Sequence, residues 1–313
     1  MMKTMKTRPI PILLAALALV LATCGSDGAT DDRPTVVATT TIVADLVQNV
    51  VGDAAQVEVI MGPGVDPHDF QASARQVESI TEADLVVGIG LGLEASLLDV
   101  LEAGSDRVLL LGPAVDPIEF RGPAHTEHED EDHASEEGAE EHELDPHVWQ
   151  DPGRMAVAVE LIGERLDGVI EGAMRNAQSY AATLRDLDAE VEERTSQIPD
   201  ELRKLVTTHE AFGYFADAYD FEIVGVIIPG GTTLAEPSAS DLAELAHAIE
   251  ESGVPAIFAE VNNPTSLARA VSDEIGRPIE IVELISDALT DDVRTYVEMI
   301  RANTDRITEA LTG

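Results

Sequence analysis

The sequence predicts an α/β protein with two lobes, each built on a mainly parallel four-stranded sheet flanked by helices, with a long linker helix between them. Two observations predict this fold. Short β-branched runs alternate with amphipathic segments twice along the chain, which is typical of parallel sheets covered on both faces. The chain has 313 residues, 44% of them hydrophobic, which is enough for two domains with real cores.

The N-terminal lobe is predicted over residues 35–152, where apolar runs such as TVVAT and DLVVGI indicate strands. We expect its strands at 35–39, 56–60, 84–89 and 107–111, and its helices at 42–51, 73–83 and 95–103. The C-terminal lobe is predicted over 199–313 by the same alternation. Its strands are expected at 204–208, 222–226, 256–259 and 278–283, and its helices at 212–219, 239–252, 266–275 and 291–311.

Residues 153–198 are predicted to form the linker helix. Apolar residues recur there at helical spacing over many turns. Three glycines, Gly163, Gly168 and Gly172, weaken the middle of this stretch, because glycine is a poor helix former. The continuity of the helix is therefore least secure at these glycines.

The first 23 residues have the pattern of a signal peptide. Three basic residues precede a short apolar core, at 10–22, that cannot span a bilayer. The following LATC, at 21–24, resembles the lipobox of bacterial lipoproteins, in which the cysteine is lipidated, although Thr23 departs from the usual small residue. Cys24 is the only cysteine, which excludes an intrachain disulfide. We expect Cys24 to anchor the chain to the outer face of the cytoplasmic membrane through a flexible tether at 24–34; the alternative is a cleaved, free extracytoplasmic or periplasmic protein.

The charge balance is strongly acidic. The chain carries 60 acidic and 19 basic side chains, a net charge of −41, which becomes −44 without the signal peptide. This charge excludes nucleic acid as a partner, because phosphate contacts need Lys and Arg. It is consistent with a cationic partner, but solubility or a salty habitat accounts for most of it. We expect a monomer.

An acidic, histidine-rich tract occupies residues 125–145. It holds eleven acidic residues, no Lys or Arg, and half of the eight histidines of the chain: His125, His128, His133 and His142. Such a segment cannot bury a core. Because imidazole suits Zn²⁺, Cu²⁺ and Ni²⁺, it is interpreted as an auxiliary metal-collecting loop. The alternative is a solvated acidic insertion.

The other four histidines are the main candidates for chemistry. His68, His147 and His209 lie in or beside loops, and two of them follow predicted strands, at the sheet edge where open α/β folds bind ligands. His247 lies within a predicted helix and is expected to be structural or exposed. A single loop histidine is more often hydrogen-bonded than a metal ligand. Spacing alone therefore leaves open whether the three converge.

Five motifs, in this order, add a resemblance: DPH at 66–68, DPHVWQDP at 145–152, THEAFGYF at 208–215, AEPSASDL at 235–242 and ISDAL at 285–289. Over about residues 35–313 the chain resembles the solute-binding lipoproteins of zinc and manganese ABC importers. The resemblance implies one metal between two α/β lobes. The implied ligands are His68 and His147 from the first lobe and His209 and Asp287 from the second. Alternatively, Asp287 caps a helix or turn, and water or another group completes the shell.

The resemblance implies a high-affinity extracytoplasmic protein that captures Zn²⁺ and delivers it to an ABC transporter permease. A histidine at 209, where manganese binders commonly carry Glu, favours zinc over Mn²⁺, which prefers oxygen donors. A manganese-binding protein and a surface metal-storage or adhesion lipoprotein remain as alternatives. We do not expect an enzyme, because the sequence has no HExxH, GxSxG or P-loop and a His₃Asp shell leaves no open position for water. A zinc hydrolase is the least favoured class.

Overall fold

The computed structural model describes residues 33–120, 144–229, 233–261 and 265–313. The predicted signal peptide, the lipid-anchor Cys24 and the four histidines of the acidic tract lie outside the described residues. Within them, no helix is long and apolar enough to cross a membrane.

Each half of the chain forms one four-stranded sheet in which every strand pair is parallel. The first sheet has the order β2-β1-β3-β4 and contains β1 (Thr35–Ala38), β2 (Gln56–Val59), β3 (Leu85–Gly88) and β4 (Val108–Leu110). The second has the order β6-β5-β7-β8 and contains β5 (Lys204–Thr207), β6 (Glu222–Val226), β7 (Ala256–Glu260) and β8 (Glu280–Leu284). The predicted fold class is confirmed.

Helices follow the strands in both halves. The N-terminal half contains α1 (Thr41–Val51), α2 (Ala74–Glu82), α3 (Leu98–Ala103) and α4 (Pro152–Leu166). The remaining described helices are α5 (Ala173–Thr195), α6 (Gly213–Ala218), α7 (Ala239–Ser252), α8 (Thr265–Glu274) and α9 (Tyr296–Thr312). Helices α2, α7 and α9 each begin with a capping box. The hydroxyl of the residue before the helix accepts an N–H of the first turn, and a carboxyl or amide side chain in that turn accepts the N–H of the capping residue.

The last helix begins later than the sequence predicts. The expected start was residue 291, whereas α9 begins at Tyr296. The Thr295 hydroxyl accepts a hydrogen bond from the Glu298 N–H at 3.2 Å, and the Glu298 carboxylate accepts one from the Thr295 N–H at 3.2 Å. This reciprocal cap fixes the helix start, and the apolar spacing upstream gives no sign of it.

The single linker helix predicted over 153–198 is wrong: this stretch forms an antiparallel hairpin of α4 and α5. Gly168 and Gly172 lie in the turn with φ of 77° and 86°, which favours glycine. A side chain at Gly163 would collide with Ala177 on the facing helix, so glycine permits the close packing of the two helices. Helix α5 packs on α1 of the N-terminal half and on α9 of the C-terminal half.

One hydrophobic core runs through both halves. The buried face of α5 presents Ala177, Ala181, Leu184, Leu187 and Val191, and it belongs to a cluster that reaches from Val36 on β1 to Tyr296 on α9. Residues 33–313 accordingly form one compact unit. The predicted domain boundaries stay a prediction.

Candidate metal centre

The four predicted ligands lie at the carboxyl ends of the two sheets. His68 is in the loop after β2, and His147 comes directly before a 3-10 turn at Val148–Gln150. His209 follows β5 and Asp287 follows β8. Because the strands of each sheet are parallel, these loops emerge on the same edge, and the two edges face each other.

The structure brings these four side chains together. One potential ligand atom from each of His68, His147, His209 and Asp287 lies within 4.8 Å of the others. The Nε2 atom of His147 is 3.3 Å from that of His68 and 3.2 Å from that of His209. The Asp287 oxygens lie 3.8 Å from His147 Nε2 and 3.7 Å from His209 Nε2.

This geometry fits a cation with tetrahedral coordination. Zinc bonds of about 2.0–2.1 Å place neighbouring ligand atoms of a tetrahedron about 3.3 Å apart. Both oxygens of Asp287 are buried and have no hydrogen-bond partner among the described residues. A carboxylate buried in this way is costly unless a cation or a proton compensates its charge. A metal at the point where the three imidazoles meet would supply that compensation.

His147 is held by the aspartate of its own motif. Asp145 Oδ1 accepts the His147 backbone N–H at 2.8 Å and lies 2.7 Å from His147 Nδ1. Neither side chain is exposed to solvent. The carboxylate thus fixes the ring with Nδ1 protonated and directs the lone pair of Nε2 toward the other ligands.

His68 belongs to the other copy of the Asp-Pro-His tripeptide, at 66–68, and is only partly buried. Asp66 Oδ1 accepts the His68 backbone N–H at 2.8 Å, as in the other motif. The second oxygen, Asp66 Oδ2, instead accepts the hydroxyl of Thr233 at 2.5 Å, from the C-terminal half. The loop that carries His68 is therefore tied to the opposite lobe.

Glu260, the last residue of β7, holds His209. Its Oε2 lies 2.6 Å from His209 Nδ1, and its Oε1 accepts the His209 backbone N–H at 3.1 Å. The Ser286 hydroxyl donates to Oε2 at 2.8 Å. Since Ser286 precedes Asp287, Glu260 connects the surroundings of two predicted ligands.

The three imidazoles of the centre differ in the direction in which their pKa is shifted. Burial, followed by the charges on neighbouring histidines, lowers the pKa of His68 to about 3 and that of His147 well below its usual value. Burial alone would lower the pKa of His209 too, but the charges on Glu260 and Asp287 raise it to about 10. Burial raises the pKa of Asp287 to about 7. Two neutral imidazoles thus face one imidazolium.

The sequence did not identify Asp145 and Glu260 as supports of the ligands. A signal for Asp145 was present, because an aspartate stands two residues before the histidine in both DPH motifs. A signal for Glu260 was weaker: a single acid directly after the apolar run AIFA, at the carboxyl end of a buried strand. His247 is 70% exposed on α7 and lies 3.5 Å from Glu251, as expected for a residue outside the centre.

Comparison with known proteins identifies the family of this chain. A family model described as "Zinc-uptake complex component A periplasmic" matches residues 36–310. The chain belongs to this family. The family's description places its members in the periplasm, as components of zinc-uptake complexes.

Relatives within the zinc-uptake component A family differ in the metal that their names state. "Zinc-binding protein TroA" of Treponema pallidum is 37% identical over 298 residues, which is 91% of this chain and 91% of that protein. "Manganese-binding lipoprotein MntA" of Bacillus subtilis is 31% identical over 315 residues, covering 96% and 97% of the two chains. The structure of the periplasmic zinc-binding protein TroA from Treponema pallidum superposes with a TM-score of 0.77 at 35% identity and covers 90% of this chain and 100% of that one.

Proposed function

We propose that this chain captures Zn²⁺ outside the cytoplasmic membrane and delivers it to the permease of an ABC importer. The observation that carries this proposal is the convergence of three imidazole nitrogens and one carboxylate within 4.8 Å. Zinc is then the cargo, and His68, His147, His209 and Asp287 are its ligands. The names of family members, which include zinc-uptake components and a zinc-binding lipoprotein, support the same function.

The donor set favours zinc over manganese. Three nitrogen donors and one oxygen suit the tetrahedral preference of Zn²⁺, whereas Mn²⁺ prefers oxygen donors and a higher coordination number. Manganese-binding relatives make Mn²⁺ the second candidate. The feature that favours zinc is His209, an imidazole at the third proposed ligand position, with Glu260 Oε2 2.6 Å from its Nδ1 atom.

Binding without catalysis fits the geometry best. With Asp287 in the shell, the four protein donors complete a tetrahedron, and a catalytic zinc needs an open position for water. The centre is also nearly closed: His147, His209 and Asp287 are at most 1% exposed.

Two further segments belong to this proposal. Lipidation of Cys24 would hold the chain beside its permease. The acidic tract would collect zinc near the centre through His125, His128, His133 and His142.

Native mass spectrometry of the mature protein with zinc and manganese in competition tests the proposal. We expect one tightly bound zinc per chain, and we expect it to persist when residues 126–141 are deleted, because the four ligands lie outside that segment. Loss of the tight ion in the deletion would overturn the ligand assignment. Manganese retained in preference to zinc would overturn the metal assignment.

The matched variant is His209→Glu. It makes the donor set two nitrogens and two carboxylates, and we expect the preference for zinc over manganese to fall at least about tenfold, or roughly 1.4 kcal/mol. The ratio is the useful quantity, because the added negative charge strengthens the binding of both metals. An unchanged ratio would mean that His209 is not a ligand.

A further inference from the structure

The single tryptophan of the chain connects the two sides of the metal centre. Trp149 lies in the 3-10 turn that follows His147 and is 1% exposed. Its indole N–H donates a 2.7 Å hydrogen bond to the carbonyl of Ser286, directly before Asp287. A residue of the N-terminal ligand segment thus holds the backbone of the C-terminal ligand segment.

Asp287 depends on such backbone contacts for its position. Its two carboxylate oxygens have no hydrogen-bond partner among the described residues, so the position of the carboxylate depends on how its loop is held. The loop around it is fixed by its neighbours, and one contact is the bond from the Ser286 hydroxyl to Glu260 at 2.8 Å. The Asn303 amide pairs with the N–H and carbonyl of Ile285 at 2.9 and 2.7 Å, Trp149 holds the carbonyl of Ser286, and the Leu289 N–H donates to the Thr41 hydroxyl at 2.8 Å. The bond from Trp149 holds the peptide group that joins Ser286 to Asp287, so among the bonds to the loop backbone it lies nearest to the ligand.

The same ring contacts a second ligand. The centroids of Trp149 and His147 are 5.2 Å apart with an interplanar angle of 67°, which is an edge-to-face arrangement. Asp145 holds the His147 ring at Nδ1, and the indole packs against it. One buried side chain therefore contacts His147 by packing and the Asp287 loop by hydrogen bonding.

We propose that Trp149 is a positioning residue for the metal: its indole N–H keeps the carboxylate of Asp287 in the shell, in register with His147. This inference rests on the proposed function. Without the N–H, the buried Ser286 carbonyl loses its partner, and the loop gains freedom at the position next to the ligand. A water then competes with Asp287 for the fourth position.

The experiment compares two variants that each remove one buried hydrogen bond at this tryptophan. Trp149→Phe removes the bond to Ser286. Tyr296→Phe is the matched control, because the bond that it removes runs from the Tyr296 hydroxyl to the Trp149 carbonyl at 2.7 Å and not to the backbone of the ligand loop. The readouts are zinc affinity, the visible absorption of the cobalt(II)-loaded protein, and the unfolding midpoint of the metal-free protein. Cobalt(II) is the probe because its absorption reports the number and type of its ligands.

Both variants should lower the unfolding midpoint of the metal-free protein. Only Trp149→Phe should weaken zinc binding, by at least about tenfold, as is usual for residues that orient a ligand. Only Trp149→Phe should change the cobalt(II) spectrum, toward a shell that contains water. Equal effects of the two variants on affinity and spectrum would overturn the inference, since they would mean that Trp149 acts through general stability alone.

A second replacement separates the N–H from the volume of the ring. The benzothiophene analogue of tryptophan at position 149 keeps the shape and lacks the donor, and it should reproduce the altered spectrum. A wild-type spectrum with this analogue would overturn the inference, including in the case that Trp149→Phe does not fold. If the unmodified protein itself binds neither zinc nor cobalt(II), the proposed function fails and the inference fails with it.

Discussion

The tripeptide Asp-Pro-His occurs twice in this chain and produces two different ligands. In both copies the aspartate accepts the backbone N–H of the histidine at 2.8 Å, so the local turn is the same. The two copies differ in the second contact that each aspartate carboxylate makes. Asp145 also lies 2.7 Å from the Nδ1 atom of His147, whereas Asp66 bonds to Thr233 in the other lobe.

Burial accounts for this difference. Asp145 and His147 are fully buried, and the carboxylate lies beside the Nδ1 atom of the ring at 2.7 Å. His68 and Asp66 are partly buried, and their loop gains its order from a contact across the lobe interface. One motif thus presents a ligand that is already in place, and the other presents a ligand whose position depends on the two lobes being together.

The largest expected effect comes from removing each histidine in turn. His147→Ala should weaken zinc binding at least about a thousandfold, roughly 4 kcal/mol. Nε2 of His147 is close to both other imidazoles, and its loss leaves the buried Asp145 carboxylate without its ring partner. His68→Ala should weaken it by about a hundredfold, since a water can reach this more exposed position. Isothermal titration with a competing chelator measures both.

Equal losses in the two alanine variants would contradict the comparison, because they would mean that the buried and the exposed motif contribute alike. His247→Ala is the control, since it changes a histidine that is exposed on α7. Its zinc affinity should be that of the unmodified chain.

Acidification should weaken zinc binding mainly through the C-terminal ligands. Of the two motifs, only Asp145 adds to the effect, because burial raises its pKa to about 7. At pH 7 the metal-free centre holds a proton on His209, whose pKa is about 10, and Zn²⁺ must displace it. Below pH 7 it must displace a second proton, because the pKa of Asp287 is about 7. Affinity should therefore fall at least about a hundredfold from pH 7.5 to 5.5, with the steeper slope at the acidic end.

The two motif histidines should add little to this slope, since burial lowers the pKa of His68 to about 3 and that of His147 well below its usual value. In titrations across the same range, His68→Ala should keep the slope of the unmodified chain, and Asp287→Ala should have a shallower one. Affinity that stays flat down to pH 5.5 would contradict the assignment of His209 as a ligand.

The losses of zinc affinity on replacing the two motif aspartates by alanine should be smaller than those on replacing the two motif histidines. Asp145→Ala should cost about 10- to 100-fold in zinc affinity, the usual range for a group that orients a ligating histidine. Asp66→Ala should cost less than about tenfold, because Asp66 fixes the backbone of its loop and not the ring. Competitive titration of the two variants side by side checks the order, and a larger loss in Asp66→Ala would reverse the comparison.

The smallest expected effect concerns the rate of release. Thr233→Val removes the hydroxyl that joins the His68 loop to the C-terminal lobe, and zinc should dissociate about three- to tenfold faster with little change in the metal-free stability. Stopped-flow chelator chase measures the rate. Combining Thr233→Val with Asp66→Ala should add nothing further if the two groups act through one bond; fully additive effects would contradict this reading.

The fold was largely predictable because its elements rest on local patterns. Alternating apolar strands and amphipathic helices predict both sheets within one or two residues at most boundaries. The prediction failed where specific contacts override the pattern. The cap formed by Thr295 and Glu298 delays α9, and positive φ at Gly168 and Gly172 turns the predicted linker into a hairpin.

The site was predictable only in part. The motifs and the family resemblance led to the four predicted ligands, and the structure brings these together; spacing alone could not show that loops so far apart in sequence converge. The supports of the ligands were not predictable, since Glu260 reaches His209 across 51 residues and only the packing of β5 beside β7 brings them together. The different burial of the two Asp-Pro-His copies likewise depends on distant segments.

The hydrophobic cluster that α5 carries through both halves also determines how the chain unfolds. This cluster joins the packing of the two halves, and each half adds a smaller cluster of its own, so the described residues should unfold in a single cooperative step. A zinc ion bound between the halves stabilises the whole unit by mass action, by about 4 kcal/mol when free zinc is a thousand times its dissociation constant. Transient opening is the state that proteases attack, so the loaded chain should survive outside the membrane far longer than the empty one. The amount of intact protein would then follow the supply of the ion that it binds.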